Sequence, residues 1–413
     1  MARPRGRPLD HRLNPTRSVM TAHLFTPVQL GGIELPNRIV VSPMCQYSAV
    51  DGSAQDWHRI HYGALAMSGA GLLCLEATHV AREARITNGC LGLYSAENEA
   101  ALRPIVDWVR RWTPWVKLGV QIAHAGRKAS AQRPWNGGGP LTAADAPDLP
   151  WPTVSASAVP FDETGPGVGF QGGEPAKLPT AKWHIPTALD AAGLKAAKDA
   201  FVAATERAVR LGFDLVELHG AHGYFLHQFL SPLSNRRSDE YGGTMEKRRR
   251  FPLEVFEACR RVWPRDRALG IRLSAVDWVE GGLTIEDTIE TARQLKALGC
   301  DFIDVSAGGS VPTAKIPVGP GYQVPFAARV RREAGIKTWA VGIITEPEQA
   351  ERIIASGEAD CTAHARSFLV DPRWGWNAAR ALGVEPPALP QPMHRAGSIL
   401  PFKPTQPALR AAE

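Results

Sequence analysis

Residues 191–219 read AAGLKAAKDAFVAATERAVRLGFDLVELH, and the two halves of this stretch predict different secondary structures. In the first half the apolar side chains recur with the period of an amphipathic helix, and charged residues such as Lys195 and Glu206 lie off that stripe. The second half is a short, mostly apolar run of the kind that forms a buried strand. The stretch therefore predicts an outer helix followed by a strand of a parallel sheet. The apolar stripe consists of Leu194, Ala197, Phe201, Ala204, Ala208 and Leu211.

The same alternation of apolar runs and helical patterns repeats along the chain from Leu24 onward. Eight strand–helix units in one chain of 413 residues favour a closed barrel over an open doubly wound sheet. The predicted fold class is therefore α/β, a single-domain (β/α)8 TIM barrel over residues 23–385. The eight runs are Arg38–Ser42, Gly71–Glu76, Val116–Ala123, Phe213–His219, Ala268–Leu273, Asp301–Ser306, Lys337–Val341 and Ala359–Ala363.

Three segments fall outside the repeating pattern. Residues 1–22 are predicted to be a disordered basic tail, and residues 386–413 a Pro-rich extension that cannot form a long helix or a central strand. Residues 130–188, after the third run, are rich in Pro, Gly and Trp and far exceed an ordinary connection of about 2–6 residues. This excursion predicts a substrate lid or subunit contact, or else a surface decoration. We expect a homo-oligomer, a dimer or tetramer, and the Pro-rich extension runs over the surface or onto a neighbouring subunit.

Composition and charge exclude several classes of protein. The chain is 44% hydrophobic and 21% charged, as in ordinary globular proteins, and +4 of its formal charge of +6 comes from the first 20 residues. We therefore expect no nucleic-acid or membrane partner for the folded part. The longest apolar stretch, Ala64–Ala77, is shorter than the ~20 residues of a membrane span. The six cysteines lie far apart without zinc-ligand spacing, so neither a disulfide scaffold nor a metal site is predicted.

The Arg-rich N-terminus lacks the apolar region of a secretory signal, so a cytoplasmic protein is expected. A transit peptide shares the same Arg-rich bias, and an upstream start codon, with Met20 as the working start, is a further alternative.

Polar and small side chains follow the strand runs, where barrel enzymes place their functional groups. Few carboxylates and no lysine are expected there, which argues against a metal hydrolase and against Schiff-base chemistry. Arg272 ends a buried run, and a buried unpaired arginine is costly, so a bound anionic or electron-rich cofactor is predicted to pair with it. Gly342, Ala365 and Arg366 follow the last two runs, where barrels often bind a phosphate group.

His219 and His222 form an HxxH pair at the end of the fourth run, and Tyr224 follows two residues later. A single histidine here would be read as a core residue, and the pair lacks the partners that a metal ion needs. Two such side chains with a tyrosine at one strand end instead predict donors that polarise a carbonyl group or bind an oxyanion. Tyr224 is then placed to pass a proton.

Longer motifs make the chain similar to a known family. SPMCQY at 42–47, QIAHAGRK at 121–128, HGAHGY at 219–224 and the signature from Leu226 to Phe251 resemble the old yellow enzyme family. The pair Cys45 and Tyr47 resembles its thermophilic-like branch, which includes xenobiotic reductases. The resemblance implies an FMN-dependent NAD(P)H oxidoreductase, an ene reductase, with NADPH or NADH as the hydride donor. Hydride would pass to the β-carbon of an activated alkene such as an enone or nitroalkene, with protonation at the α-carbon.

The resemblance also implies roles for particular residues. Cys45 would tune the flavin potential, His219 and His222 would bind the substrate oxygen, Tyr224 would be the proton donor, and Tyr47 would line the pocket. Ala365 stands where the family usually has glycine. The residues implied to hold FMN are Pro43, Met44, Cys45, Ala77, Gln121, Arg272, Gly308, Gly309, Gly342, Ala365 and Arg366.

Two other classes of function are compatible with parts of this sequence. One is an FMN barrel with another reaction, such as oxidative demethylation, dienoyl-thioester reduction or nitro-group reduction, although the large members of that group carry a cysteine cluster that this sequence lacks. The other is a non-enzymatic binding protein on a barrel scaffold, which would not need His219, His222 and Tyr224 together.

Overall fold

Eight parallel strands close into a barrel in the computed structural model, which describes residues 22–162, 168–171, 174–177 and 181–398. In chain order, the strands of these residues are β1 (Val28–Leu30), β2 (Ile33–Leu35), β3 (Ile39–Val41), β4 (Leu72–His79), β5 (Lys117–Ala123), β6 (Val154–Ser155), β7 (Val168–Gln171), β8 (Glu174–Lys177), β9 (Thr187–Ala188), β10 (Leu215–Gly220), β11 (Ala268–Ser274), β12 (Phe302–Ser306), β13 (Lys337–Ala340) and β14 (Cys361–His364). The barrel runs in the order β3, β4, β5, β10, β11, β12, β13 and β14, and β14 pairs with β3 to close it.

Each of the eight predicted runs coincides with one barrel strand, so the predicted (β/α)8 TIM barrel is confirmed. Helices follow the strands on the outside of the barrel. In the described residues the α-helices are α1 (Asp56–Ala66), α2 (Ala96–Trp112), α3 (Ala191–Leu211), α4 (Phe225–Leu230), α5 (Met245–Val262), α6 (Ile285–Ala297), α7 (Val324–Ala334), α8 (Pro347–Ala355), α9 (Arg366–Val370) and α10 (Trp374–Ala381).

Helix α3 shows how local sequence fixes these elements. The side chain of Asp190 caps its first turn by accepting a hydrogen bond from the Gly193 N–H at 2.8 Å. The helix ends at Gly212, whose φ of 84° lies in the left-handed region that favours glycine. The predicted apolar stripe faces the barrel, with Leu194, Phe201 and other members fully buried.

A hairpin of β1 and β2 covers the N-terminal mouth of the barrel. Its buried side chains pack against apolar residues near the starts of the barrel strands, including Leu72, Leu215, Phe302 and Trp339. The Gly31–Gly32 turn lies so close to the starts of β11 and β12 that a Cβ on Gly31 would overlap Asp301 and one on Gly32 would overlap Asp266. This hairpin was not among the predicted strands.

The described parts of the excursion after β5 include residues that lie over the opposite, C-terminal mouth. Strands β6 and β9 pair in parallel, and β7 and β8 form an antiparallel hairpin. Phe161 and Trp183 from the excursion stack edge to face at 5.2 Å, in an apolar cluster that also contains Cys45, Tyr47 and Tyr224. The excursion thus contacts residues that the sequence assigns to the active site.

The ends of the chain are described only in part. The predicted basic tail lies outside the described residues except for residue 22, and residues 391–398 of the Pro-rich extension form a 3-10 helix. Within the part of the chain that the structure describes, no helix is long and apolar enough to cross a membrane.

Candidate active site

A cavity of about 420 Å³ opens at the C-terminal ends of the barrel strands. Five of the predicted site residues line it, namely His222, Arg272, Gly342, Ala365 and Arg366. Further lining residues were not predicted, and they come from the strand ends and from the loop before α7. These are Ser306, Tyr322, Gln323, Val341, Ile343, Ile344, Thr345, Ala363, His364 and Ser367.

Arg272 is not the unpaired arginine that the sequence suggested. Its Nε lies 3.2 Å from Oδ2 of Asp304, which is fully buried on the neighbouring strand β12. This contact is an ion pair without hydrogen-bond geometry. Arg272 Nε therefore has no hydrogen-bond partner among the described residues. Arg272 therefore has a charge partner and still carries donor capacity that a bound group could use.

Gln121 sits beside a second buried carboxyl group. Its Nε2 donates to Glu217 Oε1 at 2.6 Å, and the two residues are aligned in the pairing of β5 with β10. Ala77 is aligned with Gln121 on the other side, in β4. The expectation of few carboxylates concerned the residues that follow the strands, whereas Glu217 and Asp304 lie within β10 and β12, fully buried in the floor of the site.

Two predicted glycines are explained by close backbone approaches. Gly309 has a φ of 90°, and a Cβ there would lie 2.6 Å from the His222 Cα. Gly342 has a φ of 117°, and a Cβ there would lie 2.8 Å from Gln323 Nε2. Gly309 therefore allows its loop to pack against the histidine loop, and Gly342 keeps the cavity wall open.

Ala365 begins the last cavity loop with a φ of −111°, an angle that an alanine adopts without the strain of a left-handed backbone. Its methyl group therefore affects only the space inside the cavity. Arg366 lines the same wall, so the structure brings this arginine and Arg272 to one cavity.

The end of β10 and the loop after it bring the three predicted catalytic side chains together. The His219 ring lies 5.1 Å from that of His222 and 5.0 Å from that of Tyr224. The Gly223 N–H donates to His227 Nδ1 at 2.8 Å, and the His222 N–H donates to Ser274 Oγ at 2.9 Å. These bonds hold His222 at a left-handed φ of 58°.

Both histidines are neutral. Burial, followed by the nearby positive charge of Arg272, holds the pKa of each well below its usual value. His219 Nδ1 is buried without a hydrogen-bond partner among the residues described. His222 Nε2 lies 2.6 Å from Ser306 Oγ, and that hydroxyl can donate to Gln323 Oε1 at 3.1 Å. In this arrangement the proton of His222 points to Ser306.

Lys128, which was not among the predicted site residues, lies beside Tyr224. The Lys128 ammonium lies 4.8 Å from the centre of the Tyr224 ring and 4.6 Å from that of Phe161. It donates to the carbonyl oxygens of His222 and Gly309, at 2.9 and 3.2 Å. The expectation of no lysine at the site is therefore wrong. The only signal in the sequence was its place at the end of the QIAHAGRK motif, where a 3-10 turn redirects the chain.

Burial sets the pKa values of both Lys128 and Tyr224. Burial lowers the pKa of Lys128 to about 7, with the charge of Arg127 adding to the effect. Burial raises the pKa of Tyr224, so that its phenol keeps its proton near neutral pH.

The segment that carries Cys45 and Tyr47 is fixed by a buried glutamate of β4. Glu76 accepts hydrogen bonds from the Gln46 N–H at 2.9 Å and from the Tyr62 hydroxyl at 2.8 Å. Burial raises the pKa of Glu76 to about 8, and it raises the pKa of the Cys45 thiol well above its ordinary value. Cys45 is therefore a neutral thiol at the end of β3.

Much of the signature between Leu226 and Phe251 has a structural role. Asp277 is fully buried, lies 3.2 Å from His227 Nε2 and accepts a hydrogen bond from Ser231 Oγ at 2.6 Å. Asn235 donates to the carbonyl oxygens of Phe229 and Tyr241. These contacts fix the segment that follows Tyr224, so the motif stabilises the position of the site residues.

The cavity fits FMN on two observations. A buried donor atom of Arg272 has no hydrogen-bond partner among the described residues, and Gly342 leaves space that a Cβ would fill. Two arginines lining one cavity suit a group with a phosphate at one end and a polar ring at the other. Gln121 and Arg272 would face the ring, and Arg366 with Gly342 would hold the phosphate.

Comparison with known proteins agrees with this interpretation. Residues 23–384 match the model of the NADH:flavin oxidoreductase / NADH oxidase family. The NADPH dehydrogenase of Geobacillus sp. (strain WCH70) is 42% identical over 367 residues, which cover 88% of this chain and 96% of that protein. The NADPH dehydrogenase of Listeria monocytogenes serotype 4a (strain HCC23) is 42% identical over 362 residues, or 87% of this chain and 95% of the relative.

Solved structures show the same architecture. Morphinone reductase in complex with tetrahydroNAD superposes with a TM-score of 0.69 at 27% sequence identity, covering 89% of this chain and 93% of that one. A 2-naphthoyl-CoA reductase complex gives a TM-score of 0.72 at 20% identity, covering 88% of this chain and 53% of that one, and supports the fold alone.

The fold and the site define an FMN-dependent oxidoreductase built on a (β/α)8 barrel. The chain belongs to the NADH:flavin oxidoreductase / NADH oxidase family, and the predicted likeness to the old yellow enzymes is confirmed. It is an NAD(P)H-dependent enzyme with FMN as its cofactor.

Proposed function

We propose that this enzyme is an ene reductase, which reduces the double bond of an alkene activated by a carbonyl or nitro group. The observation that carries the proposal is the cluster of the His219, His222 and Tyr224 rings at the end of β10 and on the loop that follows it, beside the cavity. The cluster supplies neutral hydrogen-bond donors and a protonated phenol, which are the groups this reaction requires. Bound FMN supplies the hydride, which it has taken from NAD(P)H.

The histidines polarise the substrate. A neutral imidazole donates one N–H, and such a bond to the carbonyl or nitro oxygen draws electron density away from the β-carbon. His219 is the better placed of the two, because its buried Nδ1 has no partner among the described side chains or backbone groups. His222 must exchange its bond with Ser306 for one with the substrate.

Tyr224 supplies the proton for the α-carbon. The phenol is protonated at neutral pH, and Lys128, which lies over its ring, stabilises in its ammonium form the negative charge that develops as the proton leaves. Phe161 and Trp183 of the excursion pack in the same cluster and exclude water from this side of the site. These two side chains of the excursion therefore act as a cover over the substrate.

The test separates hydride uptake from proton transfer. Enones, nitroalkenes and maleimides are assayed for NADPH oxidation without oxygen, and the two half-reactions are followed by rapid-mixing absorbance. Tyr224→Phe should leave flavin reduction by NADPH near normal and slow reoxidation by an enone by roughly 10²–10⁴-fold. Tyr241→Phe removes a tyrosine hydroxyl outside the site and serves as the control.

Equal slowing of both half-reactions would remove Tyr224 as the proton donor. Turnover of nitro groups or dienoyl thioesters, or oxidative demethylation, without any alkene reduction would replace the proposal by the alternative class of FMN barrel. A small-molecule alkene as the reaction partner, a homo-oligomeric assembly and a cytoplasmic location stay predictions from the sequence.

A further inference from the structure

Two buried carboxyl groups lie side by side in the floor of the cofactor site. Glu217 of β10 and Asp304 of β12 are both fully buried, on the two strands that flank β11. Glu217 Oε2 and both carboxyl oxygens of Asp304 have no hydrogen-bond donor among the described residues, and the electrostatics of the pair favours a hydrogen bond between the two groups. Two ionised carboxylates have only acceptor atoms, so a hydrogen bond between them requires a proton on one of them. Neither residue belongs to the set that the sequence assigned to FMN.

The neighbouring contacts favour one of the two carboxyl groups as the holder of that proton. Glu217 Oε1 accepts the hydrogen bond from Gln121, whereas Oε2 has no acceptor role with any described donor. Asp304 Oδ2 lies 3.2 Å from the Arg272 guanidinium, which favours a negative charge on Asp304. The proton therefore belongs on Glu217 Oε2, which donates to Asp304.

We propose that Glu217 and Asp304 share one proton beneath the FMN site, with Glu217 as the acid and Asp304 as the carboxylate. The pair then links Gln121, Glu217, Asp304 and Arg272 in one row. Glu217 and Asp304 are positioning residues, since they act on the cofactor through Gln121 and Arg272. The inference rests on FMN binding and not on the proposed alkene substrate.

This arrangement has two consequences for the cofactor. Because Gln121 Nε2 is committed to Glu217, its amide oxygen is left to accept a hydrogen bond from FMN. Because the pair carries a single negative charge, it neutralises Arg272 without adding an excess charge to the floor. Reduction adds negative charge to a flavin, so the charge of this floor helps to set its potential.

The surrounding groups are consistent with one retained proton. Burial, and then the charge of Asp304, raises the pKa of Glu217, and burial raises the pKa of Asp304. The other titratable groups that act on the pair are Arg272 and the buried thiol of Cys74 on β4. Burial raises the pKa of Cys74 too, so that thiol stays neutral and adds no charge.

A matched pair of substitutions tests the assignment in the FMN-loaded enzyme. Glu217→Gln replaces a neutral acid by a neutral amide that can make the same two hydrogen bonds, so the flavin reduction potential and the Kd for FMN should change little, the latter by less than about threefold. Asp304→Asn removes the charge partner of Arg272, so the reduction potential should shift to a more positive value. Equal shifts of the potential in the two variants would overturn the proposal.

A second measurement does not depend on the stability of Asp304→Asn. Infrared spectra of the wild-type enzyme near pH 7 should show the carbonyl band of a protonated carboxylic acid that is missing from Glu217→Gln. Glu76 is also protonated at this pH, and its band should persist in the Glu217→Gln variant. Identical carboxylic acid bands in the wild-type and Glu217→Gln proteins would show that Glu217 is ionised, and the proposal would fail whatever substrate the enzyme reduces.

Discussion

Replacement of Gly309 by alanine should destabilise the enzyme and disturb the histidine loop at the same time. The new Cβ would lie 2.6 Å from the His222 Cα, 2.7 Å from its carbonyl carbon and 2.8 Å from its carbonyl oxygen. These are backbone atoms and cannot rotate away as a flexible side chain does. One of the two loops must therefore move.

The size of the effect has two parts. A φ of 90° costs an alanine about 1–2 kcal/mol relative to glycine, and forcing an extra methyl group into a packed region costs about 1–3 kcal/mol. The free energy of unfolding of Gly309→Ala should therefore fall by about 2–5 kcal/mol. Gly212→Ala is the matched control, because Gly212 has a φ of 84° and no atom within 4 Å of the added Cβ. The control should lose only the first part.

The assay is urea unfolding followed by circular dichroism, with FMN present in saturating amounts. FMN binding is titrated in parallel, because movement of the Gly309 loop also displaces His222 and the cavity wall. Equal losses of stability in Gly309→Ala and Gly212→Ala, together with unchanged FMN affinity in both, would refute the close packing of the two loops.

Two further predictions concern ionisable side chains near the cofactor site. Folding raises the pKa of Glu76 from 4.5 to about 8, so the stability it contributes is complete below pH 4.5 and is lost as the pH rises through 8. Glu76→Gln removes this pH dependence. From pH 4.5 to pH 9 the free energy of unfolding of the variant, relative to that of the wild type, should therefore rise by as much as roughly 5 kcal/mol. A difference between the two proteins that does not change with pH would contradict this. Cys45→Ala should shift the reduction potential of bound FMN while the fold persists, whereas Cys300→Ala, at the other end of the barrel, should not; a potential unchanged in Cys45→Ala would make Cys45 a packing residue only.

The sequence predicted the barrel well because each strand and helix leaves a local signal. The run Phe213–His219 is apolar, and the helix before it shows a clear period, so neither element depends on distant residues for its identification. The positions of the site residues follow from the same logic, since side chains at the ends of parallel strands meet at one mouth. Gln121, His219 and Arg272 were located in this way.

The buried carboxyl pair could not be predicted by the same reasoning. Glu217 and Asp304 stand inside runs that were identified by their apolar neighbours, and their contact depends on how three strands align around a closed barrel. One signal was available: each lies two residues before a predicted strand-end residue, His219 or Ser306, and side chains two apart in a strand share a face. Phe161 and Trp183 lie in an excursion whose sequence has no helical or strand periodicity. Their contacts could therefore not be predicted from a sequence pattern.

The hairpin that covers the N-terminal mouth has a consequence for the order of folding. Strands β1 and β2 are among the first described elements to leave the ribosome, yet their apolar faces pack on residues as distant as Phe302 and Trp339. Contacts of such long sequence separation form slowly, because the intervening chain must first be ordered. During synthesis the apolar face of this hairpin therefore stays exposed until most of the barrel has emerged from the ribosome. A segment that precedes every barrel strand in the chain is thus among the last to dock on the barrel.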